Sequence, residues 1–250
     1  NKDESMIHDK NQFIIDGIGL SKTPKESRHD EQNIVKIKLK ENEFIRNTAK
    51  HAYNPIIASG VDSCILHYND NNKQCLDNQV LLMDFGSSYA NYASDLTRTI
   101  PVSGKFTKRQ KDVYNACLRV HRAATHMMSS SITLDEINTE VGKIMESELI
   151  GLGLLDKDQV AKQNPKNPLF KKYFPHGNSH FLGLDVHDVG NRYQKLAIGS
   201  VITNEPGIYI REESIGIRIE NDILITANGP VDLMKNIPIE ADEIESLMNS

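Results

Sequence analysis

Between residues 176 and 188 the chain reads His-Gly-Asn-Ser-His-Phe-Leu-Gly-Leu-Asp-Val-His-Asp, with His176, His180 and His187 interleaved among glycines and apolar side chains. Glycine lets the backbone of such a segment approach a ligand closely. Four acids in two widely separated stretches of the chain share a second property, a strand-like apolar run beside each. Asp84 closes Val80-Leu-Leu-Met83, and Asp95 lies in Ala93-Ser-Asp-Leu-Thr-Arg-Thr99. Glu205 lies in Asn204-Glu-Pro-Gly207, after Ser200-Val-Ile-Thr203, and Glu220 ends Gly216-Ile-Arg-Ile-Glu220. Four carboxylates gathered in one cavity repel, and some are driven to protonate. Two divalent cations bring four positive charges and remove the conflict. The pattern therefore predicts a dinuclear metal site of four carboxylates and one imidazole. Oxygen-rich donors with a single imidazole favour Mn²⁺, with Co²⁺ or Fe²⁺ as alternatives. Two ions about 3.5–4 Å apart acidify a shared water and polarise a carbonyl, which is hydrolytic chemistry.

The periodicities say how such acids could meet. Between Asp84 and Asp95 the residues Gly86 to Asn91 have turn character, and a hairpin there brings both carboxylates to one end of a sheet. Strict alternation places Ile215, Ile217 and Ile219 on one face and Arg218 and Glu220 on the other, a core below and a polar site above. Pro206-Gly207 turns the chain directly after Glu205. Residues 53–100 read as short antiparallel strands, and strand-like runs return at 200–203, 208–210 and 215–225. Two helices open on capping boxes, Thr107-Lys-Arg-Gln110 and Thr133-Leu-Asp-Glu136. Their buried stripes are Val113, Cys117, Val120, Ala124 and Met127 in the first, and Ile137, Val141, Ile144 and Leu149 in the second, with Gly151 as the stop. The stretch 156–168 is polar, carries two prolines and reads as a surface connection. Residues 1–42, charged and amide-rich with no sustained period, read as an atypical, partly ordered lead-in, and a helix ends around Phe44-Ile45.

Composition narrows the function. The 250 residues carry a formal charge of −5, and no basic block with interleaved aromatics appears, which argues against a nucleic-acid partner. No apolar run approaches the roughly 18 residues of a bilayer span, so no membrane association is expected. The chain begins at Asn1 without a secretory pattern and reads as trimmed. Cys64, Cys75 and Cys117 have no metal-type spacing and are expected as free thiols in a reducing, cytoplasmic setting. Taken singly, each site residue has a plainer explanation: a strand-end aspartate caps a turn, His176 is a hydrogen-bonded loop histidine, and Glu220 is a solvated strand residue. His67, in Ile65-Leu-His-Tyr68, reads equally well as a half-buried strand histidine. It is the joint pattern that favours a site.

Across roughly residues 43–245 the chain resembles the metallopeptidases of the pita-bread fold, and within them the Xaa-Pro aminopeptidases. The resemblance rests on Tyr53-Asn-Pro-Ile-Ile-Ala-Ser-Gly60, Met83-Asp-Phe-Gly86, Ser94-Asp-Leu-Thr-Arg-Thr99, His176 to Gly190, Glu205-Pro-Gly-Ile-Tyr209 and Gly216-Ile-Arg-Ile-Glu-Asn-Asp222. It implies an α+β catalytic domain over 43–250, an antiparallel sheet with flanking helices around two divalent ions, with Zn²⁺ a further alternative to Mn²⁺. It implies that Asp84 binds one ion, that Asp95 and Glu220 bridge both, and that His180 and Glu205 complete the donor set of the second ion. A hydroxide between the ions would then attack the Xaa–Pro carbonyl, with Glu205 managing the proton. The resemblance casts His67 and His187 as catalytic contacts to the oxyanion, and His176, Tyr209 and Arg218 as the pocket for the proline ring and the residues beyond it. It also implies peptides with proline in second position as partners, and a homo-oligomer. Family members carry an amino-terminal domain ahead of this unit, and Ser129-Ser-Ser-Ile-Thr133 stands where they have a glycine-containing turn.

Two other functions stay open. Proline dipeptidase shares the five ligands; the short connection from His187 to Glu205 and the arginine at 98 favour the aminopeptidase. An inactive pita-bread module that binds peptides or proteins would lose ligands, and all five are intact.

Overall fold

A computed structural model describes residues 50–250 and, ahead of them, one antiparallel strand pair, β1 (Ile18–Leu20) with β2 (Ile37–Leu39). The helix end expected around Phe44-Ile45 and most of the 1–42 lead-in lie outside the described residues. From residue 50 two runs of short strands flank a helical stretch, and a last helix closes the chain. First come β3 (Lys50–His51), β4 (Ile56–Ser59), β5 (Val80–Asp84), β6 (Ser87–Tyr89), β7 (Tyr92–Ala93) and β8 (Thr97–Pro101). Helices α1 (Lys108–Met127), α2 (Leu134–Gly151) and α3 (Lys157–Ala161) come next. The carboxy-terminal half holds β9 (Phe181–Leu182), β10 (Val201–Asn204), β11 (Gly207–Ile210), β12 (Ile215–Arg218), β13 (Asn221–Thr226), β14 (Gly229–Asp232) and α4 (Ala241–Met248).

Among the described residues every strand pair is antiparallel, and after β1-β2 the orders are β4-β5-β8, β3-β6-β7, β14-β13-β10-β9 and β11-β12. Backbone bonds between the pieces join them. Glu220 N donates to Thr97 O at 3.1 Å, and Glu205 N donates to Asn178 O at 2.9 Å. The hairpin expected between Asp84 and Asp95 is present, with Ala90 and Asn91 both at positive φ (50° and 68°) in its two-residue turn, the geometry that matches strand twist. Gly86 permits the close approach behind it, because a Cβ there would lie 1.7 Å from the Ser94 carbonyl oxygen.

Both capping boxes are formed, at Thr107 with Gln110 and at Thr133 with Glu136. The α1 stripe of Val113, Cys117, Val120 and Ala124 is buried in one core with Ile202, Ile208, Ile217 and Ile223, with full burial of a side chain the size of valine or isoleucine contributing about 1.5–3 kcal/mol. Met127 and Ile144 are only partly buried against it. The stop of α2 differs from the expectation. Gly151 is its last helical residue, and the left-handed turn falls at Gly153 (φ 71°), where Leu154 N bonds back to Leu149 O. The stretch 156–168 is mostly exposed but not wholly irregular, because Asp156 caps α3 through its side chain. Ile65-Leu-His-Tyr68 is not a strand. It leaves the 3₁₀ turn Gly60–Cys64 as a bend and puts His67 on the surface. The three cysteines are free, and no helix among the described residues is long and apolar enough to cross a membrane.

Candidate metal centre

All five predicted ligands stand at strand ends. Asp84 is the last residue of β5, Asp95 lies just before β8, His180 just before β9, Glu205 just after β10 and Glu220 just after β12. The antiparallel registers bring these ends to one place, a cavity of about 270 Å³. Asp84, Asp95, His180, Glu205 and Glu220 all line it, together with His67, His176, His187 and Arg218. One ligand atom each from Asp95, His180 and Glu220 lie within 4.8 Å of one another, a spacing that can hold an ion. Glu205 Oε1 is 3.5 Å and Asp95 Oδ2 3.4 Å from His180 Nε2.

Each donor is held by a partner. His180 Nδ1 lies 2.9 Å from the Phe181 carbonyl oxygen, which only accepts, so Nδ1 carries the hydrogen and Nε2 faces the acids. Thr97 Oγ1 donates to Glu220 Oε2 at 2.6 Å and accepts from Arg218 Nε at 3.1 Å. Thr203 Oγ1 donates to Glu205 Oε1 at 3.2 Å. The Asp95 backbone N–H donates to Asp222 Oδ2 at 3.1 Å. Arg218 Nη2 bonds Asp84 Oδ2 at 2.5 Å.

Tyr53 is the residue for which the sequence reading had no role. Its hydroxyl is 2.5 Å from both Asp84 Oδ1 and Asp95 Oδ1. A phenol has one hydrogen to give, so the two carboxyl groups share a single donor. It stands in the motif Tyr53-Asn-Pro, and an isolated tyrosine gives no periodicity signal.

The electrostatics state what the cavity lacks. Burial pushes the Glu205 carboxyl up to about 7, against the pull of His180 and Arg218. Burial, then Asp95, Glu205 and Asp84, holds Glu220 well above the carboxylate range. Burial also raises Asp84, with Arg218 opposing and Asp95 adding to the rise. Burial lowers His180, but the bond to Asp95 and the charge of Glu205 outweigh it and bring the imidazole to about 9. Acids that resist ionising beside an imidazole that holds its proton mark a cavity short of positive charge. A donor set of oxygens with one imidazole nitrogen suits hard or borderline divalent ions, so the residues fit a metal centre.

The remaining predicted residues divide. His187 is exposed and sets its ring against that of His180, centroids 4.3 Å apart. His176 forms one wall. Its Nδ1 faces the Gly177 carbonyl at 2.8 Å, its Nε2 faces Tyr209 Oη at 2.8 Å, and Phe174 packs edge-on at 4.8 Å. Burial, then Arg218, lowers its pKa to about 3, so the ring is neutral. Tyr209 does not reach the cavity surface; it stands behind His176 and accepts from Arg218 Nη1 at 2.9 Å. Arg98, weighed in the sequence as a discriminating residue, points away from the cavity and bonds the carbonyls of Thr97, Glu220 and Pro238.

The profile of the family "Metallopeptidase family M24" matches residues 22–227. The Xaa-Pro aminopeptidase of Escherichia coli (strain K12) is 41% identical over 221 residues, covering 82% of this chain and 49% of that protein. Zinc-substituted E. coli aminopeptidase P in complex with product superposes with a TM-score of 0.77 at 40% identity, over 84% of this chain and 50% of the other. The same enzyme with the inhibitor Pro-Leu gives 0.77 and 40% over 83% and 50%. The chain thus spans about half the length of the curated relatives it matches. From this match, these identities and an antiparallel α+β architecture with its acids at the strand ends, the chain belongs to metallopeptidase family M24, has the pita-bread fold, and is built for divalent metal ions.

Proposed function

We propose that this chain is the catalytic unit of an aminopeptidase that removes an amino-terminal residue preceding proline, using two divalent ions, Mn²⁺ first among them. The observation that carries the reading is the convergence of Asp84, Asp95, His180, Glu205 and Glu220 on one cavity whose acids are short of positive charge. It is supported by the likeness to Xaa-Pro aminopeptidases and by Pro-Leu acting as an inhibitor of one of them. When bound, the two ions supply an acidified water and a polarised carbonyl.

The chain's own residues do the rest. In this reading Asp84, Asp95, His180 through Nε2, Glu205 and Glu220 would hold the two ions. Glu205 takes a proton on Oε2, the oxygen that Thr203 leaves unbonded, and returns it to the leaving proline nitrogen. His67 and His187, on exposed loops at the rim, donate to the developing oxyanion. His176 forms the neutral wall against which the proline ring rests. Tyr209 and Arg218 hold that wall and Asp84 in place. An Xaa–Pro amide has no N–H to offer, so a wall shaped for the ring is what selects it.

The test is release of the first residue by the metal-loaded full-length protein from an Xaa-Pro-Xaa tripeptide, an Xaa-Ala-Xaa tripeptide and an Xaa-Pro dipeptide. Cleavage of the proline tripeptide alone is expected. Preference for the dipeptide would make this a proline dipeptidase, and failure to take up metal would make it a binding module.

A further inference from the structure

His187 stands on a segment with little packing to hold it. The residues after β9 run along the surface, and Leu184 and Val189 are 62% and 90% exposed. Hydrogen bonds have to fix the course of such a segment, and here they gather on Asp188. Its backbone N–H donates to Phe181 O at 2.9 Å, which closes the segment back onto β9. Its Oδ2 accepts the backbone N–H of Leu184 at 2.9 Å, and its Oδ1 accepts that of Val189 at 2.7 Å. One carboxylate thus ties both ends of the loop 184–189. His187 lies inside the tied loop, its ring 4.3 Å from that of His180 and turned 77° to it. Gly183 is fitted to the same carboxylate. Its φ is not in the left-handed region, so its backbone alone does not ask for glycine. A Cβ there, however, would lie 2.1 Å from Asp188 Oδ2 and push it aside.

We propose that Asp188 is a positioning residue for this centre: its carboxylate clamps the 184–189 loop and so holds the His187 imidazole where the oxyanion develops. The inference rests on the aminopeptidase reading, in which His187 is a donor to that oxyanion. Bonds from backbone N–H groups to an ionised carboxylate are the stronger kind. A surface loop with few buried contacts opens at small cost without them. An oxyanion donor acts only when it is already in place, and a misplacement of about 1 Å can lower a rate by about 10²-fold.

The experiment is a double-mutant cycle in kcat on an Xaa-Pro-Xaa tripeptide, run on the metal-loaded full-length protein. Asp188→Ala should lower kcat by about 10²-fold with KM little changed, the pattern of an interaction made in the transition state. It should keep its bound metal. In a His187→Ala background the same substitution should change kcat by less than about twofold, because the group it places is gone. Gly183→Ala is the second variant, since its methyl displaces the carboxylate while the charge stays. It should give a loss of the same kind that also vanishes in the His187→Ala background, and it runs the cycle alone if Asp188→Ala does not fold. An unchanged kcat, an equal fall in both backgrounds, or loss of bound metal would overturn the proposal. Histidine NMR of the zinc-loaded protein reads the placement without turnover. The His187 ring signal, identified by its absence from His187→Ala, should move in both variants while that of His176 stays. If no Xaa-Pro peptide is cleaved, the activity fails, and a moved His187 signal still supports the clamp. An unmoved signal rejects the clamp in either case.

Discussion

The acids of the metal centre and the histidines of its rim are built differently. Asp84, Asp95 and Glu220 are buried at strand ends, and each is fixed by a partner that lies far away in sequence, Arg218, Asp222 and Thr97 respectively. His67 and His187 stand exposed on loops, the first on a bend after a 3₁₀ turn, the second with its ring against His180. Rigid strand ends suit groups that must hold an ion at fixed geometry; surface loops suit groups that meet a substrate arriving from solvent. His180 joins the two regions, facing the acids through Nε2 and His187 through its ring.

Substitutions should separate these regions. The largest effect belongs to the strand side. Glu220→Gln should lose at least one bound ion by elemental analysis and reduce activity by more than about 10³-fold, beyond what one oxyanion donor contributes. Two ions retained at unchanged affinity would remove Glu220 from the bridging position. On the loop side, His187→Ala should keep both ions and lower kcat by about 10²–10³; metal loss in that variant would erase the contrast between rim and centre.

Smaller effects sharpen the boundary. Tyr53→Phe removes the hydroxyl shared by Asp84 and Asp95, and metal titration should show affinity weakened by about 10–100-fold, the range for groups that orient ligands. An unchanged titration would make the tyrosine packing only. Smallest of all is Thr107→Ala, which breaks the capping box of α1. It should cost about 1 kcal/mol in chemical unfolding and leave metal content as it was, because α1 carries none of the ligands. Metal loss there would mean that the helices, and not the strands alone, set the geometry of the centre.

The legibility of the sequence divides along the same line. Local rules were enough for the scaffold: Thr107 and Thr133 cap where their boxes stand, and Ile215, Ile217 and Ile219 alternate against Arg218 and Glu220 as a two-residue period requires. The strand-end acids were legible because each lies beside an apolar run. What escaped depends on contacts between distant segments. Tyr53 finds Asp84 and Asp95 only after the sheet pairs. Arg98 turns toward carbonyls of other elements and not toward the cavity, which no local pattern announces. His67 was ambiguous because Ile65-Leu-His-Tyr68 has strand composition, yet the preceding 3₁₀ turn bends it onto the surface. The α2 stop moved from Gly151 to Gly153 because both glycines fit and only the second takes the left-handed conformation.

The central claim is that the converged acids hold two divalent ions used to cleave before proline. Its most direct test is one titration of the metal-free full-length protein with Mn²⁺, measuring bound metal and release of the first residue from an Xaa-Pro-Xaa tripeptide together. The account predicts saturation at two ions per chain, with activity appearing as the second site fills. Saturation at two ions with no release of that residue would contradict it.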